Sequence, residues 1–64
     1  MIRVNGEEST YVDECVGELL IRLGIEQRGI AIALDGEIVR RSLWSTTRIV
    51  DTNVVEIVTA AGGG

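Results

Sequence analysis

The sequence lacks most of the side chains from which active sites are built. Its 64 residues include no His, no Lys, no Pro and no Phe, and only one Cys. Without His, the chain has no side chain that ordinarily titrates near neutral pH. Its acids form no cluster at metal-ligand spacing, and a single Cys excludes an internal disulfide framework. A free-standing enzyme is therefore the least favoured class, and we predict neither a catalytic residue nor a bound metal.

Length and charge set further limits on what the chain can do. Sixty-four residues predict one small domain. Ten acidic residues against six Arg give a net charge of −4, with no basic run, so nucleic acid is not expected as a partner. No apolar stretch approaches the roughly 20 residues that span a membrane, and no leader segment is evident. These features predict a cytoplasmic protein that does not bind membranes.

The first segments alternate between apolar and polar residues around Asn5-Gly6. Asn-Gly favours a type I′ hairpin turn, because both central positions of that turn need positive φ. A two-residue loop pairs Val4 with Glu7. The next pair outward is then Arg3 with Glu8. The side chains expected to face the core are Ile2, Val4, Thr10 and Val12.

The middle of the chain carries the spacing of an amphipathic helix. Its apolar stripe follows the i, i+3, i+4, i+7 pattern: Val16, Leu19, Leu20 and Leu23. Gly24 supplies a left-handed stop, and Ile25 can fold back onto the last turn. The helix begins either at Cys15, which stands three residues before Glu18 as in a capping box, or at Asp13.

The second half predicts further strands. The run from Gly29 to Leu34 is too short and apolar for a helix and favours a strand buried on both faces. Asp35-Gly36 predicts a second tight turn, and 54–59 predicts the final strand. In the irregular stretch between them, Trp44 is expected to cover one end of the core, and Ile49-Val50 to anchor a crossing segment. The acids expected on a solvated surface are Glu7, Glu8, Asp13, Glu14 and Glu26.

A hairpin, a helix and further strands in this order predict an α+β architecture. The order matches the β-grasp, or ubiquitin-like, fold: a mixed sheet of four to five strands packed on one helix. We expect the domain to span residues 1–59 and a flexible C-terminal glycine tail to span residues 60–64.

The terminal carboxylate of the tail is the best candidate for a reactive group, because the side chains offer none. A terminal carboxylate has a pKa of about 3.3–3.7, so near neutral pH it is ionised and can attack the α-phosphorus of ATP. Glycine suits such an end because it has no side chain to obstruct a narrow channel. Fully extended, residues 60–64 reach roughly 17 Å at about 3.3–3.6 Å per residue. The alternative is an inert glycine-rich terminus.

Several stretches of the sequence, taken in order, resemble the ThiS family of small sulfur carriers over essentially the whole chain. The matching stretches are Ile2-Arg3-Val4-Asn5-Gly6, Val16-Gly17-Glu18-Leu19-Leu20, 32–39 with Arg41 and Trp44, Val55-Glu56-Ile57-Val58, and Gly63-Gly64. The chain departs from the family pattern at Cys15, where Thr is usual, at Asp35, where Asn is usual, and at Asp51-Thr52-Asn53, where a Gly-Asp turn is typical.

The resemblance implies that the chain is a protein cosubstrate, not an enzyme. A ubiquitin-activating-type (ThiF-like) adenylyltransferase would adenylate Gly64 with ATP and Mg²⁺, and no cofactor would bind the carrier itself. Sulfur from a cysteine desulfurase would then convert this end to a thiocarboxylate. A ThiG-like thiazole synthase would use that sulfur to build the thiazole ring of thiamine. Gly64 would carry the sulfur, while Gly63 and Gly62 would serve tail recognition.

Two other functions remain open from the sequence. The chain could carry sulfur for another pathway, such as molybdopterin synthesis or the thiolation of cysteine precursors or tRNA. It could also be a ubiquitin-like interaction module whose tail is never conjugated.

Overall fold

The computed structural model describes residues 1–59, and the predicted tail at 60–64 lies outside the described residues. The elements, in chain order, are β1 (Ile2–Val4), β2 (Glu7–Ser9), α1 (Val16–Arg22), β3 (Ile30–Leu34), β4 (Glu37–Val39), a 3₁₀ helix (Arg41–Leu43) and β5 (Val54–Thr59). The five strands form one sheet in the order β2-β1-β5-β3-β4. β1 and β5 are parallel, and the other pairs are antiparallel. The predicted β-grasp architecture is confirmed.

Both hairpins have the predicted turns. Asn5 and Gly6 have φ values of 50° and 85°, and Asp35 and Gly36 have 49° and 87°. Positive φ at both central positions is what a type I′ turn requires, and Asn, Asp and Gly tolerate it best. Pairing of Val4 with Glu7 across the first turn is also as predicted.

The helix begins at Cys15, which decides between the two predicted starts. The backbone N–H of Glu18 donates to Cys15 Sγ at 3.5 Å, and the Cys15 N–H donates to Glu18 Oε1 at 2.9 Å. These two bonds form a capping box. At the other end, Gly24 and Ile25 donate their N–H groups to helix carbonyls in the pattern of a Schellman motif.

The core lies between α1 and one face of the sheet. Its buried members are Ile2, Val16, Leu19, Leu20, Ile32, Trp44, Ile49 and Val55. Trp44 covers one end of this core as expected, and its indole N–H donates to the Val39 carbonyl at 2.9 Å. Burial of the ring and satisfaction of its polar group together hold the irregular segment against the helix.

Thr10 and Val12 do not face the core, contrary to the prediction. The ladder between β1 and β2 ends with the pair Ile2 and Ser9, so Thr10 and Val12 lie beyond the end of β2. The Met1 carbonyl accepts a hydrogen bond from the Thr52 N–H. Both predicted core residues are exposed.

β3 is not buried on both faces, because α1 covers only one side of the sheet. Ile32 is fully buried, whereas Ala31 on the opposite face is exposed. Val50 is also exposed, while its neighbour Ile49 is buried. Ala33 lies on the same face as Ala31 and is buried, so the uncovered face of β3 is only partly exposed, and Val50 lies outside the strands.

Glu14 is buried, contrary to the predicted solvated position. Its carboxylate lies 2.8 Å from the nearest guanidinium nitrogen of Arg22, which also donates through Nε at 2.9 Å. A buried carboxylate is stable in the fold only when it is paired and hydrogen-bonded. The Glu14–Arg22 pair therefore ties the segment before α1 to the last turn of the helix.

Replacing Arg22 by Met is expected to destabilise the fold. The substitution keeps an unbranched apolar stem and leaves Glu14 buried without its partner, which costs about 1–3 kcal/mol. The control is Arg28→Met, because Arg28 is 88% exposed and lies 3.7 Å from the exposed Glu26. That change should fall within about 0.5 kcal/mol of the wild type. Urea unfolding of the three proteins measures the difference, and equal losses in the two variants would contradict the buried-pair interpretation.

The capping box also predicts a pH dependence of stability. The N–H of Cys15 donates to Glu18 and lowers its pKa below the ordinary value of 4.5, with a smaller contribution from the Arg48 charge. Because the folded-state pKa is depressed, the ionised cap stabilises the fold above about pH 4.5 and loses this effect as pH falls through the lower, folded value. Glu18→Gln keeps an acceptor but does not titrate. Its urea midpoint should therefore fall less between about pH 5 and pH 3 than that of the wild type. Parallel curves would contradict this.

Candidate functional site

The residues predicted to carry chemistry, Gly62, Gly63 and Gly64, lie outside the described residues. The described part of the candidate site is the end of β5, which leads directly to them. Thr59, the last residue of β5, pairs with Ile30 at the start of β3. The Asn5-Gly6 turn lies at the same end of the sheet, because β1 and β5 run parallel.

β5 occupies the centre of the sheet. β1 pairs with its first two residues, Val54 and Val55, while β3 pairs along its length from Val55 to Thr59. The second half of β5 therefore has a full strand on one side only. Residues 56–59 extend past the end of β1 and carry the chain toward the predicted tail.

The side chain of Asn5 continues the ladder where β1 ends. The backbone N–H of Asn5 donates to the Val55 carbonyl at 2.9 Å. Its side-chain Oδ1 accepts from the Ile57 N–H at 2.7 Å, and its Nδ2 donates to the Ile57 carbonyl at 3.2 Å. One amide group thus bonds both backbone polar groups of a residue two positions before the end of β5.

Asp35 makes a corresponding set of contacts at the opposite end of β5. Its backbone N–H donates to the Val54 carbonyl at 2.8 Å, and its Oδ1 accepts from the Val54 N–H at 2.7 Å. Its Oδ2 accepts from Nδ2 of Asn53, also at 2.7 Å. The first residue of each hairpin turn therefore fixes one end of the central strand.

The sheet face opposite the helix is open, and we call it the open face. By strand alternation and register, the side chains on this face from β3, β4 and β5 are Ala31, Ala33, Ile38, Val54, Glu56 and Val58, of which Ala33 is buried. Ile38 and Val58 are 71% and 60% exposed. Apolar side chains grouped on an exposed surface are typical of sites where a protein partner docks.

The Arg41 side chain lines a groove of about 330 Å³ between α1 and the 3₁₀ helix. Its guanidinium lies 4.6 Å from the centre of the Trp44 ring and donates to the Gln27 carbonyl at 2.5 Å. This stacking and hydrogen bonding explain Arg41 as a structural residue.

Cys15, which stands where the family usually has Thr, has a structural position. The residue is buried, and its sulfur accepts the hydrogen bond that caps the helix. The capping position predicted for Cys15 is therefore confirmed.

Within 1–59, no group of three or more His, Cys, Asp or Glu side chains is placed to share a metal ion. Over the same range, no helix combines the length and the apolar content needed to cross a bilayer.

Sequence reasoning missed the side-chain contacts of Asn5 and Asp35, although it placed both residues correctly in turns. The available signal was the residue type at the first turn position. Gly supports positive φ equally well, whereas Asn and Asp add a hydrogen-bonding group at that point. The partner of that group depends on which strand lies alongside, and this pairing of distant segments was not visible in the local pattern.

Comparison with known proteins identifies the family. A protein-family model described as the ThiS family matches residues 2–64 of the sequence. The crystal structure of a thiamine biosynthesis protein (ThiS) from Geobacter metallireducens is 33% identical, with a TM-score of 0.86, covering 98% of this chain and 97% of that chain. A solution NMR structure of a thiamine biosynthesis protein from the same organism is also 33% identical, with a TM-score of 0.76 and coverages of 98% and 86%. No curated protein gives a significant match. The chain belongs to the ThiS family.

Proposed function

We propose that this chain is a sulfur carrier for the thiazole ring of thiamine and that Gly64 bears the sulfur. The observation that carries the proposal is the ThiS family match, which extends through the terminal glycines to residue 64. The similar structures from Geobacter metallireducens are titled as thiamine biosynthesis proteins, which supports the choice of pathway. In this role the chain is a cosubstrate that is modified and regenerated by partner enzymes.

The proposed chemistry begins at the carboxylate of Gly64. A ThiF-like adenylyltransferase, using ATP and Mg²⁺, joins this carboxylate to AMP and releases pyrophosphate. The activated carbonyl is then open to a persulfide sulfur supplied by a cysteine desulfurase, and AMP leaves. Reductive cleavage of the acyl disulfide by a thiol leaves a thiocarboxylate. A ThiG-like thiazole synthase then takes the sulfur and returns the carboxylate.

The geometry of the described residues supports this role in two ways. β5 is paired on both sides at its start and continues to the tail from the centre of the sheet, so partner enzymes can bind the folded domain while the tail reacts. The open face lies beside this strand and offers a surface for the partner. We propose that the partner enzymes dock on the open face while the tail enters their active sites.

Removal of Gly64 provides the direct genetic test. A strain that lacks its own thiazole sulfur carrier should regain thiazole synthesis with the wild-type chain and not with the chain lacking Gly64, because the shortened tail misplaces the carboxylate. Ala60→Ser keeps the length of the tail and serves as the control that still rescues. Intact-mass spectrometry of protein from the same cells should detect one oxygen exchanged for sulfur in the wild type and in Ala60→Ser, and not in the chain lacking Gly64.

Rescue by the chain lacking Gly64 would contradict the proposal. The same holds if no sulfur-containing form is found when the cognate activating enzyme, ATP and the desulfurase are all present. Sulfur loading without thiazole synthesis would instead indicate a carrier for another pathway.

Two equally exposed isoleucines test the docking surface. Ile38 lies on the open face and Ile21 on the outer side of α1, and both are 71% exposed. Ile38→Glu should weaken binding to the adenylyltransferase by roughly tenfold or more, since a charge buried in an interface is costly. Ile21→Glu should leave the affinity unchanged. Titration calorimetry measures both, and equal effects of the two substitutions would rule out the open face as the docking site.

A further inference from the structure

We propose that Asn5 is a positioning residue for the reaction at Gly64: its side-chain amide holds the end of β5 and so fixes the point in the domain from which the chain continues to the tail. This inference rests on the proposed function, because it matters only if Gly64 must reach a partner's active site. The amide makes no contact with the carboxylate in this scheme. It acts through the backbone of Ile57.

The first argument is the place of the contact in the sheet. In a parallel ladder, the next rung after the bond from Asn5 N–H to Val55 would use the Asn5 carbonyl to accept from Ile57. At this point the chain turns into the hairpin, since Asn5 has a φ of 50°. The side-chain Oδ1 takes the acceptor's place at 2.7 Å from the Ile57 nitrogen. The ladder is thereby extended one rung beyond the end of the strand.

The second argument is the use of both amide groups. Nδ2 donates to the Ile57 carbonyl at 3.2 Å while Oδ1 accepts from its N–H. Among side chains that tolerate positive φ, only Asn offers a donor and an acceptor on one short planar group. Asp accepts but does not donate when ionised, and Gly offers neither. The residue type therefore fits this contact in a way that turn formation alone does not require.

The third argument is what the contact restrains. Beyond Val55, β5 has β3 on one side and, among the described residues, only the Asn5 side chain on the side of β1. Without the amide, Ile57 exchanges its bonds for water and the strand end can move away from the sheet. Thr59, the last described residue, lies two positions beyond Ile57, so release of Ile57 moves the point from which the predicted tail starts. A less fixed starting point leaves Gly64 less often oriented for reaction in a partner's active site, and loss of orientation can lower a rate by up to roughly 100-fold.

Asp35 provides a matched control at the other end of the same strand. Asn5→Gly and Asp35→Gly both keep the positive φ of the turn, and both keep the backbone bond to β5. Each removes two side-chain hydrogen bonds to the strand or its neighbour. Only Asn5→Gly changes the end that leads to the tail.

The experiment measures adenylation of the full chain by the ThiF-like enzyme as pyrophosphate release, together with urea unfolding. The two variants should lose similar stability. Asn5→Gly should lower kcat by roughly 10- to 100-fold relative to Asp35→Gly. KM should change little, because the open face is intact. Asn5→Asp keeps the acceptor for the Ile57 N–H and should give an intermediate kcat. Amide exchange at Ile57 and Thr59 should be faster in Asn5→Gly than in Asp35→Gly.

If the wild type is adenylated normally, equal kcat values for the two glycine variants would overturn the positioning role. A loss of kcat that follows unfolding stability in both variants would do the same, because the effect would then be structural. If the wild type itself is not adenylated, the proposed function fails and the positioning role falls with it. These results are distinguishable within one set of measurements.

Discussion

The pairing of β5 with both β1 and β3 is the interaction on which the rest of the structure depends. Each of the other strand pairs is a local hairpin, and a single hairpin has little stability in water. The last strand enters between the two hairpins and joins them into one sheet of order β2-β1-β5-β3-β4. The same strand leads to the glycine tail. The segment that completes the fold is thus also the segment that continues to the proposed reactive end.

A single layer of helix gives the sheet two unlike faces. α1 covers the inner face and, with Trp44 and Ile49, closes a small core. The outer face carries small and exposed side chains, among them Ala31 and Ile38. This division explains how a chain of 64 residues can hold itself together and still offer a surface to partners. In the proposed function the partners supply the catalytic groups, and the carrier supplies a recognisable body with a slim end.

Much of this fold follows from local pattern. Asn5-Gly6, Asp35-Gly36 and the apolar stripe of α1 predict their elements because turn geometry and helical spacing are set by neighbouring residues. Errors arise where distant segments decide the outcome. Val12 does not join the sheet because β1 is too short to pair with it, and Glu14 is buried because Arg22, one helix later, reaches back to it. The role of Gly64 was inferred from its chemistry and the family resemblance. The Asn5 contact was invisible to both, since it depends on which strand lies beside the turn.

In the proposed function, the sulfur atom of the thiazole ring passes through the carboxyl end of Gly64. A single-turnover reaction tests this most directly: the chain is first loaded with isotopically labelled sulfur by the adenylyltransferase and the desulfurase, separated from both, and then mixed with the thiazole synthase and its carbon substrates. The amount of label lost from the protein should equal the amount of labelled thiazole formed, and the chain should return to its carboxylate mass. Thiazole that forms without label, or label that stays on the protein, would contradict it.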